Sequence, residues 1–231
     1  MDRTVEATST PPPRGGLETS GPADKLTLEA QGARAARNPI KRLIDVFGAA
    51  VGLLLLAPML ILVSLMIMLE SPGNPVFQQR RTGHGGKPFV IYKFRSMRVQ
   101  EDGDTIVQAS RVDERVTGVG SLIRRTSIDE LPQLFNVLKG EMSLVGPRPH
   151  ALAHDVFYGE RVPDYDLRFL VKPGLTGLAQ VSGLRGRTED VAAMAARVEK
   201  DLEYIAEWSV LTDIKILCKT GLIFAFHPAA F

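Results

Sequence analysis

The stretch VFGAAVGLLLLAPMLILVSLMIML, Val46 to Leu69, carries no charged side chain and only one hydroxyl. At 1.5 Å of rise per residue it is long enough to span a bilayer as a helix. A soluble helix would show a polar face, and this one shows none. Pro58 sits in its middle, where a proline removes a backbone donor and pushes off a carbonyl, which predicts a kink. Both flanks are basic: Arg34, Arg37, Lys41 and Arg42 precede the stretch, and Arg80, Arg81, Lys87, Lys93 and Arg95 follow it. Positive charge marks the cytoplasmic side of a membrane helix. A helix that enters, bends at Pro58 and returns satisfies both flanks. A kinked spanning helix remains open on these residues alone.

Outward from this stretch the chain divides into three. Residues 1–38 are rich in Thr, Ser, Pro, Gly and Ala, with Pro11-Pro12-Pro13 and Gly15-Gly16 breaking any period. They read as a disordered tail, and no apolar core follows the start as a signal peptide requires. Residues 39–72 hold the membrane segment. Residues 73–231 read as one small domain of mixed α/β class, mainly helical. A net charge of +2 among 231 residues gives no footprint for nucleic acid, so partners must be read from local clusters. The single cysteine, Cys218, excludes an intrachain disulfide and reads as a small apolar helix residue.

Within the domain, Val76–Arg80 and Phe89–Phe94 read as two strands joined by the glycine-rich Thr82–Lys87 turn, a short β-hairpin. No Walker spacing accompanies those glycines. Leu131, Leu134, Phe135 and Leu138 make one apolar stripe, so a helix is predicted over Ile128–Lys139, capped near Ser127 and ended by Gly140. Leu144–Pro149 reads as a loop. Further helices are predicted over Ala192–Glu207 and Trp208–Phe226. The last mixes Trp208, Leu211 and Ile214 with Lys215 and Lys219, which suits a membrane surface or a packed terminal helix equally.

The chemistry centres on Asp129-Glu130. Taken alone the pair reads as helix capping: acids favour the first turn, and Ser127-x-x-Glu130 is a capping-box pattern. A chemical role needs company, and the company exists in kind. Lys93 and Arg95, Arg124 and Arg125, and Arg148 between two prolines are the cations a diphosphate needs. Each singly is an ordinary surface charge. His150 and His154, four apart, have no third ligand in view for a metal.

Four motifs now bear on the reading: Lys93-Phe94-Arg95-Ser96-Met97, Thr126 to Gln133, Ser143 to Pro149, and Lys172 to Gly183. In this order, behind one apolar segment, they resemble the signatures of the bacterial sugar transferase family. The likeness runs from about Arg37 through the last helix. It implies a monotopic phosphoglycosyl transferase on the cytoplasmic face of the inner membrane, with a re-entrant helix broken at Pro58 and interfacial amphipathic helices. It implies catalytic residues Asp129, as nucleophile, and Glu130, as a ligand of Mg²⁺ (Mn²⁺ as substitute). It implies phosphate-binding roles for Lys93, Arg124 and Arg148, with Arg95 and Arg125 beside them. A UDP-sugar would give its sugar-1-phosphate to Asp129 and release UMP, and undecaprenyl phosphate would then take the phosphosugar. Inner-membrane lipid is the implied surrounding, and homo-oligomerisation is compatible.

Gly183 to Thr188 and Tyr204 to Ser209 resemble the hexose-1-phosphate branch that starts exopolysaccharides, which implies glucose or galactose. The membrane break departs from the family's usual Ser-Pro, being Ala57-Pro58 here. The rival reading is a single-span membrane-anchored binding or regulatory protein of a polysaccharide assembly complex.

Overall fold

The computed structural model describes residues 22–98, 113–186 and 190–226. Its order is α1 (Pro22–Arg37), α2 (Pro39–Glu70), β1 (Val76–Thr82), β2 (Pro88–Phe94), α3 (Gly118–Arg125), α4 (Gln133–Lys139), β3 (Ser143–Val145), α5 (Leu152–Gly159), β4 (Gly174–Thr176), α6 (Leu178–Val181), α7 (Val191–Ala206) and α8 (Val210–Phe226). The architecture is mainly helical. β1 and β2 form the predicted antiparallel hairpin, in register from Val76 opposite Phe94 to Thr82 opposite Pro88. Gly85 and Gly86 both hold positive φ in its turn, which a side chain would strain. A second sheet was not predicted: β3, in the stretch read as a loop, pairs in parallel with β4.

α2 is one helix of 32 residues, long and apolar enough to cross a membrane. Asn38 caps it by accepting from Lys41 N at 3.0 Å, and Pro39 starts it without wasting a donor. The helix is hydrogen-bonded as a single element on both sides of Pro58. Its two ends grip the same domain. At the first turns Lys41 Nζ donates to Asp213 Oδ2 (2.7 Å) and Val145 O (3.0 Å), and Arg42 donates to the last carbonyls of α4, Val137 O and Leu138 O. Asp45 Oδ1 accepts from Ser143 Oγ and from Leu144 N. Gly48 passes so close to β3 that a Cβ there would meet Leu144 Cδ1 at 2.6 Å. At the far end Val63 and Ile67 pack on Phe94 and Ile123, and Glu70 accepts from Gly118 N at 2.7 Å, the start of α3. Between these anchors the outward face is a continuous apolar stripe, including Phe47, Val51, Leu54, Leu55, Ile61, Leu62 and Leu65.

The expected disorder through residue 38 does not hold for Pro22–Arg37. These residues form α1, which packs on α7 and buries Leu28 and Ala35 in the main core. Gly32 lets it approach Leu170, whose Cβ a Gly32 Cβ would meet at 2.7 Å. Residues 1–21 lie outside the described residues. The main core gathers Ile91, Leu134, Val137, Met142, Val145, Tyr204, Ile205 and Trp208, so α2, the hairpin, α4, β3 and α7 converge on one interior. α8 begins at Val210, two residues later than predicted, and Cys218 is exposed on it.

Candidate active site

Asp129 and Glu130 lie in a 3₁₀ turn, Ile128–Glu130, between α3 and α4. The helix predicted over 128–139 is therefore broken, because Pro132 has no N–H to give and α-helical bonding starts only at Gln133. The predicted cap also fails. Ser127 stands in the left-handed region, at φ 57° and ψ 17°, and its side chain caps nothing. Its Oγ accepts instead from Arg185 Nη2. A non-glycine residue held there costs about 1–2 kcal/mol, and such strain concentrates at working sites.

Glu130 is buried and fully engaged on one side. Arg148 meets it as a fork, Nη1 donating to Oε2 at 2.8 Å and Nη2 to Oε1, while Lys93 Nζ donates to Oε1 at 3.2 Å. Three of its roughly four lone-pair positions are thus used. Burial works against the Glu130 charge, but Arg148 and then Lys93 outweigh it and hold the carboxyl well below the usual range. Asp129 is half-buried, and among the described residues its carboxylate takes no hydrogen bond or ion pair. Burial, then the neighbouring Glu130 charge, push its pKa up to about 6 against Lys93, Arg148 and Arg124. The turn therefore gives two adjacent carboxylates different surroundings: Glu130 is bound by Arg148 and Lys93, while Asp129 takes no such bond among the described residues.

Lys93 comes from β2 and faces the turn, with burial pulling its pKa down against Glu130. Arg148 is held more elaborately. β3 and β4 run so close that a Cβ on Gly174 would meet Gly146 N at 2.1 Å. Gly146 N donates to Thr176 O and Gly174 N to Pro147 O, lacing the Gly-Pro-Arg-Pro loop to the Pro-Gly-Leu-Thr-Gly segment. The Arg148 carbonyl accepts from Arg168 Nη2 at 2.9 Å.

Arg168 belongs to a buried polar strut that sequence reasoning missed. Its guanidinium donates to Asp201 Oδ2 (2.7 and 3.0 Å) and reaches His150 Nδ1 (2.8 Å). On the other ring nitrogen, Arg197 Nη1 lies 3.2 Å from His150 Nε2. Arg197 also donates to the carbonyls of Leu184 and Gly186, which flank Arg185. One strut therefore braces the loop of Arg148 and the loop of Arg185. The signal for it was present, since Arg197 and Asp201 fall four apart on one helix face, but charged residues in a helix are read as exposed by default. Arg185 itself was quoted only within a motif, yet its charge acts on both carboxylates.

Both ring nitrogens of His150 thus face arginine guanidinium groups, and among the described residues there is no group of three or more His, Cys, Asp or Glu that could hold a metal ion. Burial, then Arg168 and Arg197, hold the pKa of His150 well below 6.5. The folded protein keeps it neutral while the unfolded chain protonates near 6.5, so stability is present above about 6.5 and falls as pH drops below it, by at most about 1.4 kcal/mol per pH unit. Melting temperature followed from pH 7.5 to 5 should decline in the unaltered protein and decline less in His150→Gln; equal slopes would refute this.

Of the predicted phosphate-binding residues, Lys93 and Arg148 meet at Glu130, and Arg124 is half-buried where its charge reaches Asp129. Arg95 is not in the site. Its guanidinium binds Ser71 O, Pro72 O (2.8 Å) and Ser71 Oγ (3.0 Å), clasping the exit of α2. Arg125 is exposed at the end of α3 and makes no contact with the pair among the described residues. The metal role expected of Glu130 narrows to one remaining position on Oε2. That suits Mg²⁺, which takes one or two carboxylates and fills its shell from substrate phosphates and water.

Residues 36–227 match the profile of the bacterial sugar transferase family. The chain belongs to that family. It is 53% identical over 203 residues to the UDP-glucose:undecaprenyl-phosphate glucose-1-phosphate transferase of Caulobacter vibrioides, covering 87% of this chain and 76% of that protein. It is 52% identical over 181 residues to the protein of the same name in Escherichia coli K12, covering 78% of this chain but 39% of that one. The exopolysaccharide production protein PSS of Rhizobium leguminosarum bv. phaseoli is 46% identical over 185 residues, with 92% of it covered. The chain is a sugar transferase by family, and the Asp129 turn, Lys93 and Arg148 all lie inside the matched region.

Proposed function

We propose that this chain transfers glucose-1-phosphate from UDP-glucose to undecaprenyl phosphate, releasing UMP, through a covalent intermediate on Asp129. The observation that carries the mechanism is the asymmetry of the pair: Glu130 is bound by Arg148 and Lys93, while among the described residues Asp129 takes no hydrogen bond or ion pair. The choice of glucose over galactose rests on the names of the Caulobacter and Escherichia relatives. Those names also favour a transferase over the anchored binding protein.

An Asp129 oxygen attacks the sugar-proximal phosphorus of UDP-glucose. The new bond joins carboxylate oxygen to phosphorus, the diphosphate bond breaks, and UMP leaves with the bonding pair. The undecaprenyl phosphate oxygen then attacks the same phosphorus, and Asp129 departs as carboxylate, so no proton need move. Arg148 and Lys93 stabilise the charge on the transferred phosphoryl group. A Mg²⁺ held at the free position of Glu130 would add charge neutralisation at the diphosphate. Purified protein given UDP-glucose alone should release UMP in at most stoichiometric amount, and turn over when undecaprenyl phosphate is added. EDTA should abolish both, with Mg²⁺ or Mn²⁺ restoring them. Absence of UMP with every UDP-hexose would refute the proposal, and full turnover in EDTA would remove the metal.

The proposed place is the inner membrane at its cytoplasmic face, a reading supported by the proposed substrates and by the contacts of both α2 ends with one domain. A straight 32-residue helix is about 48 Å long, against an apolar layer of about 30 Å. Crossing would put its ends on opposite sides, away from a domain that touches both. Membrane-impermeant labelling of single cysteines at Arg37 and Arg80 should show both on the cytoplasmic side; opposite sides would refute the re-entrant topology.

A further inference from the structure

A cavity of about 150 Å³ lies against the carboxylate turn. Its lining divides in character. Ser127, Glu130 and Arg185 belong to the polar site, whereas Leu217, Ile223 and Phe224 come from α8. The Arg185 guanidinium stands 5.1 Å from the centre of the Phe224 ring, so the cation is at the junction of the two halves. The outer face of α8 bears Leu211, Ile214 and Leu222 exposed, an apolar stripe with Lys215 and Lys219 beside it. Such a helix rests on a lipid surface. One hollow therefore touches Glu130, the chain neighbour of Asp129, on one side and the apolar residues of α8 on the other.

We infer that this cavity seats the phosphate-proximal end of the prenyl acceptor: its first isoprene unit between Leu217 and Ile223, its phosphate at Arg185. The inference rests on the acceptor named in the proposed function. A sugar ring would bring hydroxyls to walls that are mostly hydrocarbon and leave them unpaired. A prenyl phosphate is anionic at one end and apolar beyond it, which is the order of the lining. A cavity of about 150 Å³ takes an apolar group about the size of benzene, the scale of one isoprene unit. The remaining units run out along α8 into lipid. Arg185 thereby serves the second half-reaction, holding the incoming phosphate next to the phosphorus on Asp129. Its brace on Arg197 and its bond to Ser127 fix it for that task.

The test fills the cavity and reads each substrate separately. Leu217→Trp should raise the KM for undecaprenyl phosphate by about tenfold or more, because the first unit's burial is worth more than the roughly 1.4 kcal/mol of that factor. The KM for UDP-glucose and the UMP released without acceptor should stay within about twofold, well inside that tenfold step. Ile223→Ala removes wall without adding bulk and should move the acceptor KM the same way, by less. It decides the matter if the tryptophan variant fails to fold. A rise in the UDP-glucose KM in either folded variant, or no change in the acceptor KM, overturns the assignment. Absence of any transfer by the unaltered protein would instead overturn the proposed function.

Discussion

Asp129→Asn should fold and yet lose transfer by at least about 10³-fold, the scale on which removal of a nucleophile is felt. The substitution keeps the shape of the side chain and deletes the charge that attacks phosphorus. Stability should not suffer. In the folded protein burial and Glu130 already disfavour ionised Asp129, so its loss relieves repulsion, and the melting temperature should hold or rise. Mass spectrometry after incubation with UDP-glucose should find a hexose-phosphate on the Asp129 peptide of the unaltered protein and none on the variant. UMP release without acceptor should vanish with it. The competing mechanism is direct attack by the lipid phosphate with Asp129 as metal ligand. It predicts no adduct, a ternary-complex kinetic pattern and no UMP until acceptor is added. That pattern, with an Asn variant turning over within about tenfold of the original, would rule out the covalent route.

The long apolar helix, the hairpin and the last two helices were legible because their signals are local: an uncharged run, alternation around glycines, and helical periodicity. The four motifs named the carboxylate pair, Lys93 and Arg148 without help from any distance. What stayed hidden depends on partners far along the chain. Lys41 reads as a membrane-flanking charge, but it is buried on Asp213, 172 residues away, and on Val145 O. Arg95 sits in a signature motif and faces the other end of α2. Basic flanks are therefore partly structural here, and the stronger sign of topology is the pair of anchors on one domain. α1 was missed for a related reason. Its own composition predicts little burial, and α7 and the 3₁₀ turn Tyr165–Leu170 are what α1 packs against as Leu28 and Ala35 join the core. The β3–β4 pair is three residues a side and parallel, too short for a periodic signal.

Arg168→Met should destabilise the protein by about 3–5 kcal/mol, because it leaves the Asp201 carboxylate buried without its partner. Both groups are 2% exposed, so water cannot substitute. That loss alone would not show a functional role. The double replacement Arg168→Met with Asp201→Leu should recover much of the stability, since an apolar pair of similar volume often matches a buried ion pair. Activity should not recover with it. The Arg148 carbonyl would still lack its donor, and the Gly-Pro-Arg-Pro loop would hold its guanidinium less firmly against Glu130. Misplacement of a positioning group by about 1 Å costs about 10²-fold, so kcat should remain down by roughly 10- to 100-fold while the melting temperature returns. The KM for UDP-glucose should change less than kcat, because Arg148 acts most on the charge that develops as phosphorus is transferred. A double variant that regains both stability and kcat would show that the strut only holds the fold. One that regains stability alone would show that the buried Arg168 positions Arg148 for the reaction.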